Sequence, residues 1–197
     1  MTRAPWWSHT AIVVGGAAAF MAAAAWSYAP WWEYAFLSDD SPVSWLSSAL
    51  LVASAAIAFD RALVGGTDRR RWGLLAVALV SMALDEQFLF HERFKDTVAG
   101  ASGYRTDSAI ANLPTLVLGC GALILLVTAI RQVSERPARR LLQAAVAVGL
   151  CALFVDLAPS PVALGRLEEA YEVLAESLFL SGLLEYRRGY VQSSSVS

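Results

Sequence analysis

Seven acidic residues stand in, or at the edge of, stretches that are otherwise apolar: Asp85 and Glu86, Asp156, and Glu168, Glu169, Glu172 and Glu176. An ionisable side chain inside hydrocarbon costs about 2.5–3.5 kcal/mol on insertion scales, so each of them needs a partner or a purpose. The bases close by in the sequence, Arg93, Lys95 and Arg166, are too few to neutralise the set. The excess must be protonated, hydrated in a cavity or bound to cations. Carboxylate oxygens joined by one imidazole, that of His91, form a ligand set for a hard or borderline divalent ion: Zn, Fe, Mn or Mg. On this expectation Asp85, His91, Asp156, Glu168 and Glu172 are the metal ligands, and Glu86 and Glu176 serve as general bases beside them.

The spacing supports convergence. At about 100° per residue, Glu168, Glu169, Glu172 and Glu176 share roughly a quarter of one helix's circumference. Leu167, Val173, Leu174 and Leu178 then face elsewhere. On a second helix Asp85 and Glu86 stand about 100° apart, and His91 lies about 120° round from Asp85. His91 therefore joins the site only if the chain bends after Phe90. Blander readings compete. Residues 85–93 also read as a helix end turning polar as it leaves a membrane, which accounts for His91, Glu92 and Arg93 better than for Asp85. The glutamate-rich helix also reads as an interfacial amphipathic helix, although basic residues normally dominate such a wet face.

The elements that must position these acids are membrane spans. Of the 197 residues 57% are hydrophobic and 16% charged, where soluble domains carry nearer about 25% charge. A net charge of −2 gives no basic footprint for nucleic acid. The cysteines, Cys120 and Cys151, each sit in an apolar run, make no disulfide framework and read as packing residues. A spanning helix needs about 20 mostly apolar residues. Six such segments are predicted, at about 7–28, 43–63, 72–90, 109–130, 141–157 and 167–186.

The first could instead be a signal peptide with small-residue sites near Ala22 to Ala25, but Trp6, Trp7, Trp31 and Trp32 flank it like interfacial anchors. The sixth fails a strict hydropathy cut because it holds Glu168, Glu169, Glu172, Glu176 and Glu185. The fold class is thus all-α: a single polytopic six-helix transmembrane domain over residues 1–190, with 191–197 as a polar, disordered tail. Arg69 to Arg71, Arg131, Arg136, Arg139, Arg140, Arg187 and Arg188 fall on one side of such a bundle, which places both termini in the cytoplasm and the protein in the inner (plasma) membrane. His9 then marks the cytoplasmic interface, and Asp60 and Glu185 lie close to arginines there. A rise of about 1.5 Å per residue brings the acids of the third, fifth and sixth spans to one level beneath the outer face. An inverted-repeat transporter plan would separate them.

Common catalytic motifs are absent: there is no H-E-x-x-H, G-x-S-x-G or P-loop, and Glu169-x-x-Glu172 has the diiron spacing without its histidine. The many spans and buried acids are similar in architecture to membrane hydrolases of the alkaline-ceramidase type. The three zinc histidines of that family have no counterparts here, so neither its site nor its reaction is carried over. The leading expectation is an outward-opening carboxylate/His pocket that binds a divalent metal, with hydrolysis or transfer on a lipid or other membrane-borne substrate as the enzymatic reading. A cation- or proton-coupled transporter and a structural subunit that pairs with an oligomeric or membrane partner are the alternatives.

Overall fold

The computed structural model describes residues 7–37, 41–64, 68–90, 93–94, 96–97, 121, 123–157 and 168–194. The regular elements among the described residues are helices: α1 (Trp7–Ser27), α2 (Tyr34–Leu37), α3 (Pro42–Val64), α4 (Arg69–Phe88), α5 (Leu123–Gln132), α6 (Arg136–Leu157) and α7 (Glu168–Ser194). Three of them, α1, α3 and α6, contain segments long and apolar enough to cross a membrane. The segments expected at 7–28, 43–63, 72–90 and 141–157 correspond to α1, α3, α4 and α6 within a few residues. Of the segment expected at 109–130, residue 121 and α5 are described; the rest, with Cys120, lies outside the described residues. The last helix continues past Tyr186 to Ser194, so residues 191–194 are helical where the sequence reading has a disordered tail.

Local chemistry sets the ends of the two helices that matter most. At the start of α3 the Ser41 hydroxyl accepts the Ser44 N–H at 3.0 Å while Pro42 occupies the first helical position. This is the pairing of a serine cap with a proline whose missing N–H is not needed there. Helix α4 stops earlier than its hydropathy predicts. Leu89 turns into the left-handed region at φ 52°, and its N–H closes on the Asp85 carbonyl at 2.7 Å. The bend that His91 would need in order to join the site was expected after Phe90, and the chain turns one residue earlier, at Leu89.

Pairwise contacts fix the helix directions. The Ser48 hydroxyl meets the Ala83 carbonyl and Gln87 reaches Ser44, so α3 and α4 are antiparallel. Ser47 pairs with Glu176 and Arg61 with Tyr186, so α3 and α7 are parallel. His9 lies 3.9 Å from Glu185, which makes α1 antiparallel to α7. Gly149 faces Ala175 while Gly182 faces Leu142, which does the same for α6. Helix α7 is the hub, packed against α1, α3 and α6.

The core lies between these helices in two clusters. One joins Leu51, Ala55 and Ala58 of α3 to Trp72, Leu75 and Leu79 of α4, Leu142 of α6 and Leu183 of α7. The other joins Ala17 and Ala24 of α1, Ala35 of α2, Val43 and Leu50 of α3, and Val173 and Leu180 of α7. Small residues let the backbones approach: Ser44, Ser47, Ser48 and Ser54 of α3 and Ser177 and Ser181 of α7 are all buried. The outer faces remain apolar, with Trp26 84% and Phe154 73% exposed. Cys151 is on that outer face rather than packed inside the bundle.

Candidate functional site

The last turn of α4 and the first turns of α7 converge beside the start of α3. Glu86, Glu169 and Glu172 are each half-buried, and each offers a carboxylate oxygen that lies within 4.8 Å of the other two. Glu176 stands one turn further along α7, where its Oε1 accepts the Ser47 hydroxyl at 2.8 Å. Its Oε2 is buried and has no hydrogen-bond partner among the described residues. Next to Glu86, Gln87 Nε2 donates to the Ser48 hydroxyl at 3.0 Å, and Ser48 in turn donates to the Ala83 carbonyl at 3.2 Å. These bonds tie α4 to α3 immediately below the carboxylates.

Glu86, Glu168, Glu169 and Glu176 all lie close enough to repel a charged Glu172. A cation would relieve this arrangement. Bonds from Mg to oxygen run about 2.0–2.1 Å, so two ligands on opposite sides of it stand about 4.2 Å apart, a separation that carboxylates within 4.8 Å of one another reach by a small shift of their side chains. The donors are all carboxylate oxygens, which suits Mg or Mn better than Zn, whose sites favour nitrogen and sulfur.

The site differs in membership from the sequence expectation. Glu172, expected as a ligand, is a member of the trio. Glu86, expected as a base, is instead in position to be a ligand. Asp85 and Glu168, expected ligands, lie outside the trio, and Glu169 enters it. One residue's step turns a helix by about 100°, so neighbours such as Asp85 and Glu86 cannot both face the same point. Glu176, the other expected base, is adjacent to the trio and held by Ser47. Asp156 lies in the last turn of α6, but its side chain is outside the described residues, as is His91. Ser47 was legible only as a small packing residue. The i,i+3 spacing of Glu169 and Glu172 was the available signal for Glu169.

The opposite end of the bundle is also polar, with paired charges. Trp72 stacks on Tyr186 with centroids 5.2 Å apart, the Tyr186 hydroxyl accepts Arg61 Nε at 3.1 Å, and Arg187 meets Asp60 at 3.1 Å. Glu185, far less exposed than its sequence neighbourhood implies, sits 3.9 Å from both His9 and Arg188.

A family described as a domain of unknown function, DUF8692, matches residues 21–185, and the chain belongs to that family. No curated protein and no solved structure matches the chain.

Proposed function

We propose that this chain is a multi-pass protein of the inner (plasma) membrane that binds a hard divalent cation, Mg or Mn, in a carboxylate pocket near its outer face. The observation that carries the reading is the approach of Glu86, Glu169 and Glu172, from two separate helices, to within 4.8 Å of one another. Six spans with both termini in the cytoplasm accommodate the helix directions. Helices α4 and α6 begin with arginines, α7 carries Arg187 and Arg188 near the same end of the bundle, and that end takes the cytoplasmic side by the positive-inside rule. The apolar outer faces of α1, α3 and α6 support a lipid environment.

Within this reading the three glutamates hold the ion, which when bound supplies Lewis acidity for hydrolysis or transfer on a lipid or other membrane-borne substrate. The chain's own contribution is Glu176. Ser47 fixes one of its oxygens, which leaves Oε2 as the atom that takes a proton. Leu75, Leu79 and Leu183 fill the interior towards the arginine end, which favours a closed binding site over a transport path.

The deciding experiment is metal analysis of detergent-purified protein equilibrated with Mg or Mn, wild type beside Glu172→Gln and Glu86→Gln. About one ion per chain, lost in both variants, is the expected result. Absence of bound metal in wild type overturns the reading. So does retention in both variants.

A further inference from the structure

We propose that a second site, at the opposite end of the molecule, holds the phosphate of an anionic phospholipid headgroup. A cavity of about 460 Å³ opens where α5 turns into α6, lined by Ile130, Arg131, Arg136, Arg139, Arg140 and Gln143. That volume is in the range of small-molecule sites, about 300–1,000 Å³. Arg136, Arg139, Arg140 and Gln143 follow one another at i, i+3, i+4 and i+7, so they form one face of α6. Arg131, from the end of α5, lines the same cavity.

What sets these arginines apart is that four of them line one cavity with no carboxylate among its lining residues. Elsewhere in the protein Arg71 pairs with Asp68, Arg187 with Asp60 and Arg188 with Glu185. Arg131, Arg136, Arg139 and Arg140 make no ion pair or side-chain hydrogen bond among the described residues. Four like charges around one cavity repel each other until an anion enters. Guanidinium forks match the paired oxygens of a phosphate. The first N–H groups of α6 add partial positive charge at the same place.

The surroundings favour a lipid over a soluble phosphate. The cavity sits at the beginning of the segment Arg136–Val155, which is long and apolar enough to cross a membrane, and therefore at headgroup level once that segment spans. Beyond the cavity the exposed side chains Ile124 of α5 and Leu150 of α6 give acyl chains an apolar surface. Basic pockets between spanning helices at the cytoplasmic boundary bind anionic headgroups by this combination of forces. The inference rests on the membrane reading above but not on the carboxylate site.

The test uses the full chain purified in non-ionic detergent, with bound lipid counted by native mass spectrometry. Phosphatidylglycerol, phosphatidylcholine, inorganic phosphate and glycerol 3-phosphate are the added probes. One phosphatidylglycerol per chain should be retained, at least about tenfold more tightly than phosphatidylcholine. Arg136→Gln with Arg140→Gln should weaken retention about tenfold, while Arg69→Gln with Arg70→Gln, which removes the same charge outside the cavity, should change it less than about twofold.

An equal loss in both pairs overturns the site in favour of general surface charge. Phosphate or glycerol 3-phosphate displacing the lipid at equal concentration overturns the lipid assignment. Should the cavity variant fail to fold, the preference of the wild-type chain among the four probes still decides. A chain that leaves the membrane fraction without detergent marks failure of the membrane reading instead.

Discussion

Trp72 and Tyr186 lie face to face, their planes within 10° of each other, where α4 begins and α7 nears its basic end. About fourteen residues along each helix, roughly 21 Å away, the same antiparallel register brings Glu86 to Glu172. The stack and the carboxylates are thus two ends of one alignment. An error in register at the rings would displace the glutamates.

Tyr186 should therefore show graded behaviour. Tyr186→Phe keeps the stack and loses the Arg61 hydrogen bond, at a cost of about 1–2 kcal/mol. Tyr186→Ala removes the ring as well and should cost about 3–5 kcal/mol. Unfolding in detergent should rank the proteins wild type, Phe, Ala. Only the Ala variant should also weaken Mn binding at the far end.

Neutralising a glutamate of the trio should act in opposite directions with and without metal. In chelator, Glu172→Gln removes like-charge repulsion and should stabilise the protein by on the order of 1–3 kcal/mol. In millimolar Mn the wild type should gain stability and the variant should not. Thermal unfolding under the two conditions checks this; a variant less stable than wild type in chelator contradicts the repulsive field.

Ser47 and Glu176 should be energetically coupled across α3 and α7. A double-mutant cycle with Ser47→Ala and Glu176→Ala is expected to give an interaction energy of about 1–2 kcal/mol from denaturant unfolding. Additive single effects would mean that the 2.8 Å hydrogen bond is not maintained.

Helix α6 packs tightly against α7 at Gly182. A Cβ there would stand 2.8 Å from two carbons of Leu142 and 3.3 Å from the Ala138 carbonyl oxygen, whereas one at Gly149 would meet only the Ala175 Cβ, at 3.8 Å. Gly182→Ala should destabilise by about 1–3 kcal/mol, and Leu142→Ala should relieve part of that loss. Gly149→Ala should be tolerated. Unfolding midpoints of the three single variants and the Gly182→Ala, Leu142→Ala pair test this contrast.

Much of the helical plan was legible because hydropathy and charge report it directly. The uncharged run from Trp7 and the small-residue run from Val43 announce α1 and α3. Helix α7 was harder, since five glutamates interrupt it, and its remaining apolar residues together with the arrangement of arginines in the loops had to argue for it. Within the site, one-helix periodicity grouped the glutamates of α7 but could not choose between Asp85 and Glu86. That choice depends on how α4 is rotated against α3, which Gln87, Ser48 and Ala83 settle through contacts distant in sequence. Ser47 was hidden for the same reason, because a serine's hydroxyl acquires a role only when its partner is in place. The left-handed turn at Leu89 carries no glycine or proline to advertise it.

The separation of carboxylates at one pole from arginines that make no ion pair among the described residues at the other gives the bundle an electric dipole along its own axis. Moving one elementary charge across a potential of 100 mV costs about 2.3 kcal/mol. In an energised bilayer with the arginine pole inward, the voltage that holds those arginines in place also pushes external cations towards the glutamates. Dissipating the potential should thus loosen cation occupancy without altering a single ligand.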